Sequence, residues 1–151
     1  MFSSRGVFLA LLVSLAGVVP VRAQDSGRKS AEVQVWAIRA TSKNSEISPE
    51  LRAIAEQLKR QFRYTGFKLE RRAAGKTDIG KAVETALIDG YRARVTPRKH
   101  DGQRVTLQIE VLKDGKPHYS ATVTIEAGKF QLQGGWELED ADALIVAVAA
   151  R

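Results

Sequence analysis

Arg92, Arg94, Arg98, Lys99 and Arg104 fall within thirteen positions of one another, in the stretch GYRARVTPRKHDGQRVTLQ. Cations at this density can hold an anionic polymer or headgroup. Strict alternation places Arg92, Arg94 and Arg98 on one face of one strand, opposite Thr106, Gln108 and Glu110 of the next. A sheet that packs its other face also shows water a polar row of this kind. Nucleic-acid-binding sheets interleave aromatics on the wet face to stack bases. Here Tyr91 and Tyr119 fall on the apolar side, which argues against nucleic acid. Anionic polysaccharide or lipid headgroups are the partners that Arg92, Arg94, Arg98 and Arg104 would suit.

Other candidate chemistries are thinner. GKTDIGKA (75–82) comes close to the phosphate-binding loop, but Ala82 stands where a magnesium-binding hydroxyl is needed, and no buried strand leads in. His100, in a hairpin turn, and His118, near a strand start, read as a pair of surface histidines. Ser120 lies two positions from His118 in one row, with no acid behind them to make a triad. Glu137, Glu139, Asp140 and Asp142 cluster in ELEDAD, without the residue spacing of a calcium loop, and read as a solvated acidic turn. The chain has no cysteine, which removes thiol catalysis and cysteine-ligated metals. The reading is non-enzymatic, with no cofactor and no metal; a small hydrolase using His118 or the acidic cluster is the alternative.

The elements that would position these residues follow from hydrophobic period. VQVWAIRA (33–40) is apolar on both faces, as suits a strand well inside a sheet. SPELRAIAEQLKRQFRYTG predicts a helix, with Ser48 as N-cap, Pro49 at the first helical position and Gly66 as C-cap. Its apolar stripe is Leu51, Ile54, Ala55, Leu58 and Phe62. FKLER (67–71) resumes a period of two, and RAAGKTDIGK reads as a turn or loop. AVETALI (82–88) fits a strand or a short helix; the Asp89-Gly90 turn after it favours a strand. Residues 91–126 then alternate through three strands broken at HDGQ and KDGK, an antiparallel meander. KFQLQGGWELEDAD holds a short strand and an acidic turn, and ALIVAVAAR is apolar on both faces, a buried strand. Trp36, Phe130 and Trp136 read as core. The order β-α-β followed by a β-meander argues an α+β fold, a mostly antiparallel sheet with one amphipathic helix packed on one face.

Residues 1–23 carry Arg5, an apolar run from Val7 to Val19, and Val21-Arg22-Ala23, the pattern of a secretory signal peptide cleaved near Ala23. An uncleaved anchor is the other reading of this segment. Residues 24–31 read as a flexible leader and 32–151 as a single domain. Loss of Arg5 and Arg22 would lower the formal net charge from +7 to +5, still a basic chain. The protein is therefore expected in the periplasm or outside the cell.

YRARVTPRKHDGQRVTLQIEV followed by SATVTIEAGKFQLQGGWE resembles part of the β-rich core module of bacterial secretins, the outer-membrane secretion pores. Val95-Thr96-Pro97 precedes the turn at Asp101-Gly102, Val105 to Ile109 is the alternating strand, and Gly128 to Gly135 occupies the glycine-bounded segment. The resemblance covers residues 91–137, and the strand–helix–strand before it is similar in outline to the ring-building modules of such systems. Residues after Trp136 depart from the family's pattern, so the resemblance implies a pairing module rather than a pore. It carries over no catalytic residue. The function expected is protein–protein interaction at the bacterial cell envelope, with an envelope protein or a second copy as partner. A binding module for anionic glycan or lipid is the alternative.

Overall fold

A computed structural model describes residues 27–151. The expected export segment, and the first residues of the expected leader, lie outside the described residues. Among the described residues there are eight strands: β1 Ser30–Thr41, β2 Gly66–Asp78, β3 Val83–Ala86, β4 Tyr91–His100, β5 Arg104–Lys113, β6 Lys116–Glu126, β7 Phe130–Glu137 and β8 Ala143–Ala150. A 3-10 turn, Pro49–Ile54, runs into the short helix α1, Ala55–Gln61.

Strand content and antiparallel pairing agree with the expected class, but the strands form two sheets rather than one. One has the order β2-β1-β8-β7, the other β3-β4-β5-β6. The meander 91–126 is β4-β5-β6, and 83–86 extends it as a strand. The two sheets pack face to face over Val33, Val35, Val146 and Val148 from one side and Val95, Leu107, Ile109 and Val111 from the other. On its opposite face, the first sheet packs Trp36, Ile38, Phe67 and Ile145 against Leu51, Ile54 and Leu58 of the helical segment. β1 and β8 are central strands covered on both sides, which is why both read as continuous apolar runs. β8 is buried along its whole length.

The helical segment is shorter than its pattern predicts. Phe62 is already extended, at φ −127° and ψ 139°, so α1 ends there and Phe62 packs sideways on the core. Gly66 is not a C-cap but the first residue of β2; an added Cβ would collide with Asn44 Oδ1 and meet Thr41 Cγ2 at 2.8 Å. The Ser48 hydroxyl does not cap the helical segment either. It accepts the Leu69 N–H at 3.0 Å, tying the helix start to β2.

RAAGKTD is strand, not loop: β2 continues to Asp78, paired with β1 from Ser30 onward. Its signal is faint because its exposed positions are mostly charged, while Ala73 and Gly75, opposite Val35 and Val33, are small. β3 packs above them, and a Cβ on Gly75 would rest on Val83 at 3.6 Å. Ser30 and Ala31, from the segment read as leader, form the start of β1.

Candidate functional site

The arginine row lies on the open face of the β3-β4-β5-β6 sheet. Arg92 and Arg94 alternate outward between buried Tyr91, Ala93 and Val95. Arg94 pairs across the sheet with Glu110, as the alternation predicts, and Thr96 with Gln108. The strict alternation then breaks. A bulge between Pro97 and Lys99 leaves Arg98 unpaired and sets Lys99 opposite Thr106, so both cations face outward. The same shift turns His100 inward opposite Val105. His100 ends β4 and is buried, so it is neither a turn residue nor a surface histidine. Its Nδ1 accepts the Gly102 N–H at 3.0 Å.

Among the described residues, Arg94 is the one arginine of this face with ion-pair partners. The Arg94 guanidinium lies 3.7 Å from Glu84 and 3.9 Å from Glu110. Arg98 donates to the Gln108 side-chain oxygen. Arg104 sits opposite Glu126 in the ladder, and the Thr106 and Thr124 hydroxyls bond across strands at 2.9 Å. Arg92 and Arg98 have no acidic residue directly across from them: Arg92 faces Ala86 and Leu112, and the bulge leaves Arg98 unpaired. This is a net-basic face in which carboxylates and hydroxyls are interleaved with the cations.

His118 and Ser120 do not form a row. A bulge in β6, opposite Val111 and Leu112, leaves His118 unpaired, whereas Ser120 pairs with Glu110 on the open face. The His118 ring meets Tyr91 edge-on at 5.5 Å and Trp136 at 5.7 Å. Tyr119 packs on Trp136 at 5.3 Å. The histidine thus belongs to an aromatic cluster that closes the sandwich between β6 and β7. GKTDIGKA runs from the end of β2 through a turn into β3, with no helix after the loop to receive a phosphate.

Arg39 was missed by sequence reasoning, although an arginine inside the apolar run VQVWAIRA is itself a signal. It bonds Glu70 at 3.0 Å and both oxygens of Asp140 at 2.8 and 2.9 Å, with Asp142 at 3.6 Å. Lys43 and Lys68 complete the set, against Asp142 and Glu70. Desolvation works against the Arg39 charge, but Glu70 and Asp140 outweigh it and raise its pKa. Desolvation likewise pulls Asp140 upward, while the Asp142 N–H and Arg39 pull it further down, below the ordinary carboxylate range. The acidic turn is therefore not simply solvated: Asp142 is buried, and Asp140 is half of a fork with Arg39. A depression of about 480 Å³ beside this network is lined by Arg39, Lys43, Asn44, Glu46, Ser48 and Asp142, among others. Three cations face three carboxylates here, so the network serves to clamp β1, β2 and the β7–β8 turn together. Among the described residues, no group of three or more histidines or carboxylates converges as metal ligands would.

Four strands end the sheets laterally, and they are unequally defended. β2 carries Lys68, Glu70, Arg71, Arg72, Lys76 and Asp78. β3 has only four residues. β7 is bulged at Gly134-Gly135, and the Gln57 side chain reaches its Phe130 carbonyl at 3.3 Å. β6 differs. From Tyr119 to Ile125 it reads YSATVTI, without charge, proline or glycine. The Ala127 N–H donates to the Gln103 carbonyl opposite it, so odd-numbered residues of β6 turn their amides toward β5. Ser120, Thr122 and Thr124 turn theirs to the free edge.

No family model, no curated protein and no solved structure matches the chain.

Proposed function

We propose that this chain is an exported, non-enzymatic domain that acts by protein–protein contact in the bacterial cell envelope, adding an extended segment of its partner to the free edge of β6. The observation that carries this reading is the undefended stretch Tyr119–Ile125, with the outward amides of Ser120, Thr122 and Thr124. A sheet edge left without charge, proline or bulge is a template for strand pairing. Main-chain bonds supply affinity in such pairing, and alternate side chains supply specificity. The likeness of residues 91–137 to the secretin core module, a structural pairing module, supports the same function. The export-signal pattern of residues 1–23 supports the location.

Thr122→Pro tests the reading. Its amide faces the free edge, so proline removes no bond to β5 while removing a donor from the added strand. A photo-crosslinking residue at Ser120 should capture a defined envelope protein, or a second copy, from envelope extract at moderate salt. That product should disappear in the Thr122→Pro chain, whose circular dichroism stays native. Capture unchanged by Thr122→Pro would remove β6 as the docking edge.

The alternative, anionic glycan or lipid on the sheet face, is weakened by the carboxylates beside Arg94 and by Glu126 opposite Arg104. Retention on heparin by Arg92→Glu/Arg94→Glu, compared with the parent chain, decides it: unchanged retention excludes that face.

A further inference from the structure

One end of the sandwich gathers cations from separate parts of the chain. Two adjoining depressions, of about 440 and 450 Å³, open there and share Arg28, Lys29 and His100 as lining. Arg98 and Lys99 border the first, Lys76 and Arg151 the second. The residues come from four places in the sequence. The β4 bulge delivers Arg98 and Lys99 as adjacent outward cations. β2 delivers Lys76, cross-strand from Glu32, and Arg151 follows β8.

The site is held by backbone. Arg28 N–H donates to the His100 carbonyl at 2.7 Å, the Lys29 carbonyl accepts from Ile79 N–H at 2.9 Å, and Gly80 N–H donates to the Pro97 carbonyl at 2.7 Å. The Arg28 guanidinium lies over Gly102, where an added Cβ would meet its Nε at 3.5 Å. His100 is a buried floor shared by the two depressions, held by its Nδ1 accepting the Gly102 N–H. The lining contains one carboxylate side chain, Glu32, and Arg151 already bonds it at 3.3 Å. Asp101, near Lys99, spends its carboxylate on the Gln103 and Arg104 amides. Arg28, Lys29, Lys76, Arg98 and Lys99 form no ion pair among the described residues.

We infer that this end of the sandwich is a binding site for a ligand bearing two or more phosphoryl groups. The Arg28 guanidinium fork matches the oxygen geometry of phosphate, and Lys29, Lys76 and Lys99 add point charge. Arg98 and Arg151 are already engaged by Gln108 and Glu32. Two depressions with a common floor suit at least two such groups on one ligand. The phosphoryl groups belong either to a soluble polyphosphorylated molecule or to lipid headgroups. This site is independent of the β6 edge.

The test uses the full chain, purified as the cell processes it, at about 0.15 M ionic strength, where exposed charges farther apart than about 8 Å are screened. Sodium tripolyphosphate is titrated by calorimetry, and vesicles of phosphatidylglycerol in phosphatidylcholine are sedimented with the protein. Lys76→Glu/Lys99→Glu should weaken whichever binding is seen by about tenfold or more. Arg92→Glu/Arg94→Glu makes the same change in net charge on the sheet face and should leave binding within about twofold. Binding of tripolyphosphate supports the soluble source, and binding of the vesicles alone supports headgroups. Binding of neither probe, or equal loss in the two variants, overturns the site.

Discussion

Gly134 shows how tightly single positions are specified where a sheet edge is bent. It sits at φ 133°, in a region closed to side chains, and an added Cβ would collide with the Leu144 carbonyl and lie 2.9 Å from Ile145 Cα. The offending atoms are backbone of the central strand β8, which cannot move aside. Gly134→Ala should therefore cost on the order of 2–3 kcal/mol in urea unfolding. Gly115, at φ 77°, has nothing within 4 Å of its Cβ position. Gly115→Ala should cost only the left-handed strain, about 1 kcal/mol. Equal costs would mean that conformation alone, not the close approach to β8, governs Gly134. The same bulge shifts Trp136 to pair with Leu144 and join the Tyr91–His118–Tyr119 cluster. A residue with no side chain thus sets where the aromatics meet.

Elements divide the apolar core into two layers that share one sheet. Leu58 of α1 is fully buried against the outer face of the first sheet, and Leu107 of β5 is fully buried between the sheets. Leu58→Ala and Leu107→Ala should each destabilise by about 2–5 kcal/mol. Because the two leucines contact different layers, the double variant should be additive within about 0.5 kcal/mol by urea unfolding. A larger coupling would show that β1 and β8 transmit strain from one layer to the other. The sequence made these layers legible where period and burial agree: β1 and β8 as doubly apolar runs, β4 to β6 as alternation, Leu51, Ile54 and Leu58 as a stripe. It hid the second half of β2, whose inner residues are small and whose exposed residues are mostly charged. It also hid the bulges beside Pro97 and Val111, since one extra residue reverses the phase without changing composition. The reversal buries His100 and pairs Lys99 with Arg98 at the surface. Alternation could suggest the arginine face, but the basic end depends on Arg28, Lys76, Lys99 and Arg151 meeting, which only topology decides.

At the scale of the molecule, the first sheet closes only when its most distant strands meet. β1 and β8 pair from Val33↔Ala150 to Ala40↔Ala143, and Glu32 and Arg151 exchange backbone bonds at 2.8 and 3.0 Å. Neither layer has a complete floor before that pairing, because both stand on β1 and β8. Helix, sheet and second sheet should consequently unfold as one unit. The two tryptophans sit one in each layer: Trp36 is buried on the helix side, 4.4 Å from Phe130, and Trp136 borders the inter-sheet core. Trp136→Phe leaves Trp36 reporting the helical layer alone, and Trp36→Phe leaves Trp136 reporting the inter-sheet layer. Within each variant, the fluorescence transition in urea should superimpose on its own far-ultraviolet circular dichroism transition, the behaviour of a two-state domain. If the Trp36 signal were lost at lower urea than the dichroism of the same variant, the helical layer would be opening by itself. The sheet would then hold without its outer cover, and the dependence of both layers on the β1–β8 closure would be disproved.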